Sequence, residues 1–110
     1  MDRLIRIVSF LIILLGIVHV GFGFPIYMNT DTLWFVGSGM AIVFGGLVNL
    51  VAIDRGGSKF TKAIAVFTNA SICALFCFAL PILNEPQVYI GIIIFLIPTI
   101  AFSIDLAKKR

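Results

Sequence analysis

Residues 32–53 read TLWFVGSGMAIVFGGLVNLVAI, and no charged side chain interrupts them between Asp31 and Asp54. An α-helix rises about 1.5 Å per residue, so a run of this length reaches just across a hydrocarbon core about 30 Å thick. The run lacks the alternating polarity of a membrane β-strand of roughly 10 residues. It reads as one transmembrane helix.

Similar uncharged runs flank it: residues 7–30 between Arg6 and Asp31, residues 63–84 between Lys62 and Glu85, and residues 86–104 between Glu85 and Asp105. Each fits one crossing and none fits two. The predicted helices are 4–24, 33–53, 63–83 and 88–104. The short joints make neighbouring helices antiparallel, so the expected fold is all-α: an integral membrane four-helix bundle forming a single domain over residues 1–110.

Composition agrees. Of 110 residues, 61% are hydrophobic and 12% charged, against roughly 45–50% and about 25% in soluble domains. One small core cannot bury that much apolar surface. A water-soluble domain, a disordered tail and a nucleic-acid-binding module are excluded.

The joints carry helix-boundary chemistry. Pro25 follows the first span. Thr30, Asp31 and Thr32 are N-cap candidates for the second. Gly56-Gly57 terminates it, and Ser58 or Thr61 caps the third. Pro81 kinks or ends the third helix. Asn84-Glu85-Pro86 reads as a cap with proline in the first turn of the fourth.

All eight basic residues fall on one side: Arg3 and Arg6, then Arg55, Lys59 and Lys62, then Lys108, Lys109 and Arg110. The other two joints carry only Asp31 and Glu85. The positive-inside rule places both termini in the cytoplasm of a multi-pass cell (inner) membrane protein. Tyr27, Trp34 and Tyr89 then form an aromatic belt at the outer boundary, with ligand stacking as the functional alternative. The basic start of the first span resembles a signal peptide, but Gly21-Phe22-Gly23 is a poor cleavage site, so the span is expected to be retained.

Few polar groups lie inside the spans. His19, Ser38 and Cys77 are expected to share one layer of the outer half, beside Trp34. A neutral imidazole donates one hydrogen bond and accepts another. It can also ligate metal, carry protons or contact a ligand. The structural alternative is a histidine bonded to a neighbouring hydroxyl or carbonyl. A binding role for His19 requires an apolar cavity reaching it. A ring turned to lipid, or sealed by a neighbour with no void, removes that role.

A second layer, toward the cytoplasm, holds Asn49, Asn69, Thr99 and Ser103. Amides inside a bundle bond across helices, or else line a substrate or ion site. Cys73 and Cys77, four residues apart, share one helix face. They are small packing groups or a thiol site, but C-x-x-x-C is not the C-x-x-C redox motif. Two cysteines and one histidine do not complete a four-ligand zinc site, and a bis-histidine haem needs a second imidazole. No catalytic residue, metal or cofactor is assigned.

The second helix carries a small-residue stripe, Gly37, Ala41 and Gly45, beside Ser38, Gly46 and Asn49. Such stripes let helix backbones approach closely. Ser38, Gly45, Asn49 and Ala52 fall within about 60° on a helical wheel, so this face meets the bundle or another protomer. Gly16, Gly21 and Gly23 are candidates for the complementary surface. Pro98 frees the Ile94 carbonyl, which Thr99 or another hydroxyl is expected to satisfy.

No acid or base is expected inside a span, which disfavours ion-coupled transport. The chain has the length and layout of the small multidrug resistance transporters but lacks their glutamate in the first helix. His19, Trp34-Phe35 and the glycine-rich run from Gly37 through Gly46 resemble small bacterial four-helix membrane proteins of the DoxX-like kind. That resemblance implies the fold and a membrane location. Some of those proteins are linked to quinone oxidoreductases, but no motif here carries a catalytic role over.

The leading functional expectation is a non-enzymatic bundle that binds a hydrophobic small molecule, or serves as an accessory subunit. The alternatives are a quinone-linked or redox enzyme component and a small oligomeric transporter. The expected partners are the lipid bilayer, a hydrophobic small molecule or quinone, and a second copy of the chain. Nucleic acid is not among them.

Overall fold

The computed structural model describes residues 2–23 and 28–108. It contains α1 (Asp2–Gly21), α2 (Thr30–Ile53), α3 (Lys59–Ala79) and α4 (Pro86–Ala107). All four are long and apolar enough to cross a membrane. α1 packs most extensively on α2, and α3 on α4; α2–α3 and α1–α4 contacts close the ring. The result is two antiparallel hairpins joined side by side.

The helix ends follow local chemistry. Asn29, not the threonines or Asp31, caps α2: its Oδ1 accepts from the Thr32 amide at 2.8 Å. A 3-10 turn over Asp54–Gly56 reverses the chain, with Gly57 at φ 62°. A Cβ there would run into the Ala52 carbonyl oxygen, so glycine is required. Ser58 and Thr61 form a reciprocal capping box on α3. Pro86 opens α4, where its missing N–H costs nothing. Tyr27 and Pro25 lie outside the described residues. α1 ends at Gly21 and α3 at Ala79, both earlier than the charge spacing alone implied.

Polarity is inverted relative to a soluble protein. The outward faces carry large apolar side chains such as Phe67, Phe78 and Ile82, while Ser9, Asn49 and Asn69 are fully buried. Water at the exterior would make this arrangement unstable; a bilayer favours it. One core cluster gathers Ile5, Ala52, Ile53, Ala65, Ala101 and Phe102 near the basic end of the bundle. A second, around Val8, Ile12, Ile42, Cys73 and Phe95, fills the middle.

The α1–α2 seam is a close backbone approach. A Cβ built on Gly16 would stand 2.8 Å from both the Gly39 carbonyl oxygen and the Val43 amide nitrogen. One on Gly46 would lie 2.9 Å from the Ser9 carbonyl oxygen. The glycines that admit α1 are thus Gly39, facing Gly16, and Gly46, facing Ser9. Gly45 packs on the other side, against Ile72 and Phe95. Gly37 and Ala41, expected to pack, are exposed, and a Cβ on Gly37 would meet nothing within 4 Å.

Candidate functional site

Three polar groups define what the bundle can do chemically. The first closes its basic end. Lys62 on α3 forms an ion pair with Asp105 on α4, their side chains 10% and 17% exposed. Both residues lie just outside the expected spans 63–83 and 88–104, but the helices run further and include them. α3 begins at Lys59, so Lys62 lies within its first turn and turns inward. A cavity of about 180 Å³ adjoins the pair, bordered also by Asp2, Ile5, Phe102 and Lys108. Asp2 opens α1 and Lys108 follows α4, so both terminal segments and the 54–58 joint share one end.

The second group is the buried amide pair. Asn49 Nδ2 donates to Asn69 Oδ1 at 3.1 Å, and Asn69 Nδ2 donates back to Asn49 Oδ1 at 2.5 Å and to the Ala65 carbonyl at 2.6 Å. Thr99 and Ser103 do not join them. Thr99 donates to the Phe95 carbonyl at 2.7 Å rather than to the Ile94 carbonyl freed by Pro98, and Ser103 is exposed. Ser9 Oγ, fully buried on α1, has no hydrogen-bond partner among the described residues.

The third group lies toward the far end, between α1 and α2. His19 Nε2 and Ser38 Oγ are 3.0 Å apart. The Ser38 hydroxyl donates to the Phe35 carbonyl at 2.9 Å. The Phe35 ring stacks on the imidazole, centroids 4.1 Å apart and planes 10° off parallel. A hydroxyl has one hydrogen to give. Since Ser38 gives it to Phe35, both contacts are satisfied together only when Nε2–H donates to Ser38 Oγ. Neutral His19 then carries its proton on Nε2.

The surroundings of this group follow from helical phase. Ser38, Gly45, Asn49 and Ala52 share one face of α2, within about 60° at 100° per residue. α3 and α4 cover that face from Gly45 to Ala52. They leave it bare at Ser38 and at neighbouring Ala41, which are exposed. On α3 the buried residues end at Cys73, and Cys77 and Phe78 beyond it are exposed. Toward the far end this face of α2 is therefore uncovered, and the His19–Ser38 pair stands beside the uncovered stretch. His19 itself is half-buried.

The remaining expected site residues fall as follows. Trp34 is 70% exposed, one turn beyond Ser38 on the same face. Cys77 is not among the hydrogen-bond partners of His19 or Ser38, so the expected three-residue layer reduces to two bonded members. Buried Cys73 donates to the Ile92 carbonyl at 3.6 Å. A groove of about 340 Å³ between α2 and α3 is lined by Phe44, Leu47, Val48, Val51, Thr61 and Ile64. Neither this groove nor the basic-end cavity includes His19, which an apolar cavity is expected to reach. Among the described residues no three of His, Cys, Asp or Glu converge as a metal site requires.

Sequence reasoning missed Phe35 as the ring that covers the imidazole, and the Lys62–Asp105 pair. The second had a visible signal: opposite charges bounding the third and fourth runs at the same membrane end.

No family model, curated protein or solved structure matches the chain. The DoxX-like resemblance therefore rests only on the residues that carry it, and what stands is a four-helix chain with four candidate membrane spans.

Proposed function

We propose that the chain is a non-enzymatic membrane protein that takes up an apolar small molecule from the bilayer, in the cleft between its two hairpins. The observation that carries this reading is the uncovered stretch of α2's bundle-facing surface, bordered by the bonded His19–Ser38 pair. Ala41 leaves the cleft wide, Trp34 and Phe35 supply apolar walls, and His19 and Ser38 supply polarity in an otherwise oily setting. Such a balance of mostly apolar lining and few polar groups is that of small-molecule sites. In this reading both termini face the cytoplasm and the cleft opens in the outer half of the membrane.

The test is mass spectrometry of small molecules retained by protein purified in native lipid discs. Wild type is expected to enrich one apolar species over bulk lipid, and Ala41→Trp, which fills the cleft, is expected to lose it. Identical profiles for the two proteins contradict the proposal.

A second reading, an accessory or self-associating subunit, is favoured by the small, exposed Gly37 and Ala41, four residues apart. A neighbouring helix seats well on such a pair. In that case Ala41→Trp changes the assembly size rather than the retained molecule.

A further inference from the structure

The hydrogen-bond sense of the His19 group limits what the cleft can accept. The two contacts are made together when Ser38 gives its only hydrogen to the Phe35 carbonyl, at 2.9 Å, and accepts from His19 Nε2–H, at 3.0 Å. The neutral imidazole has one N–H. Its Nδ1 is then a bare acceptor, and no described residue donates to it. The Phe35 ring covers one face of the imidazole, which leaves approach in the ring plane, along the Nδ1 lone pair, as the polar route.

We propose that the cleft selects an amphipathic molecule carrying a hydroxyl or N–H donor, which it gives to His19 Nδ1. This rests on the small-molecule reading above and specifies the chemistry of the ligand. A head group with acceptors alone, such as an ether or an oxidised quinone carbonyl, would set lone pair against lone pair. In a bilayer no bulk water relieves that mismatch. Ser38 and Phe35 act as positioning groups: they fix the tautomer and the ring plane without touching the ligand's donor.

The chain has a single histidine, so nitrogen-15 NMR of the protein in lipid discs, freed of any histidine tag, reads this ring alone. At a pH where the ring is neutral, a protonated Nε2 and a bare Nδ1 are expected. Titration then uses a matched pair, 4-dodecylphenol and its methyl ether. The phenol is expected to shift the Nδ1 resonance and to bind about five- to tenfold more tightly than the ether, the worth of one hydrogen bond. His19→Phe keeps a ring against Phe35 but has no acceptor, and is expected to erase the difference between the two compounds.

The outcomes separate the two levels of the argument. Equal binding of phenol and ether, both displaced by Ala41→Trp, overturns the donor requirement and leaves the cleft reading standing. Binding of neither overturns both. A proton found on Nδ1 overturns the inference without any ligand being added.

Discussion

Asn49 on α2 and Asn69 on α3 hold each other by two amide hydrogen bonds, at 3.1 Å and 2.5 Å, with no exposure on either side chain. The pair ties the two hairpins together on the basic-end side of the cleft. Past it the second core cluster still joins the hairpins, and the α2 face is uncovered only from Ala41 outward. A polar clasp at this level gives the looser seam a fixed register, which apolar contacts in a lipid setting specify poorly.

Removing one amide should therefore cost more than removing both in proportion. Asn49→Leu leaves the Asn69 amide short of partners in a dry interior, an expected loss of about 1–3 kcal/mol. The Asn49→Leu/Asn69→Leu double variant should lose less than the sum of the singles, with a coupling of about 0.6–2 kcal/mol. Reversible unfolding in mixed micelles of increasing SDS content measures the cycle; additive losses would show that the amides act independently.

The glycines of α2 should divide by face. Gly16→Ala, on the opposing helix, sets a methyl 2.8 Å from two backbone atoms of α2 that cannot swing aside. Overpacking of this kind costs about 1–3 kcal/mol. Gly37→Ala, with open space around it, should stay within about 0.5 kcal/mol of wild type. Thermal melts in one detergent compare them, and equal losses would place α1 on the wrong side of α2.

At the basic end, Lys62→Met should destabilise the bundle by about 1–3 kcal/mol. A fully buried pair broken on one side loses about 3–5 kcal/mol, but here a cavity adjoins the ions and Asp105 has further interactions. Lys62→Met/Asp105→Leu should recover most of the loss, because an apolar replacement of a buried pair is often neutral. SDS titration again provides the readout; a double variant no better than the single would mean the pair sets local geometry that leucine cannot replace.

How much of this was legible in the sequence follows from which signals lipid preserves. The spacing of Asp31, Asp54, Lys62, Glu85 and Asp105 marked the helices, because a charge in hydrocarbon is costly. It marked their ends less well. Lys62 bounds an uncharged run yet belongs to α3, since a charge paired with Asp105 can enter a helix end. Choosing the contact face of α2 from the Gly37–Ala41–Gly45 spacing failed for a related reason. A membrane helix is apolar on its lipid side too, so hydrophobic periodicity does not tell packing from exposure. Gly39 and Gly46, which admit α1, have equally plain neighbours. The His19–Ser38 contact was approachable, since both residues are polar and lie near helix ends that a short connection brings together. The uncovered stretch beside it depends on where Cys73 ends the buried face of α3, and no local signal announces that.

The proposed topology is a four-span bundle whose basic end stays on one side of the membrane. Single cysteines at Asn84→Cys, Lys59→Cys and Lys108→Cys, in a chain with Cys73 and Cys77 replaced by alanine, test it with a membrane-impermeant maleimide on intact cells. The predicted result is labelling of position 84 from outside, with 59 and 108 labelled only after permeabilisation. The mirror pattern would keep the four spans and invert the proposed orientation. Labelling of 84 and 108 from the same side would contradict the bundle itself.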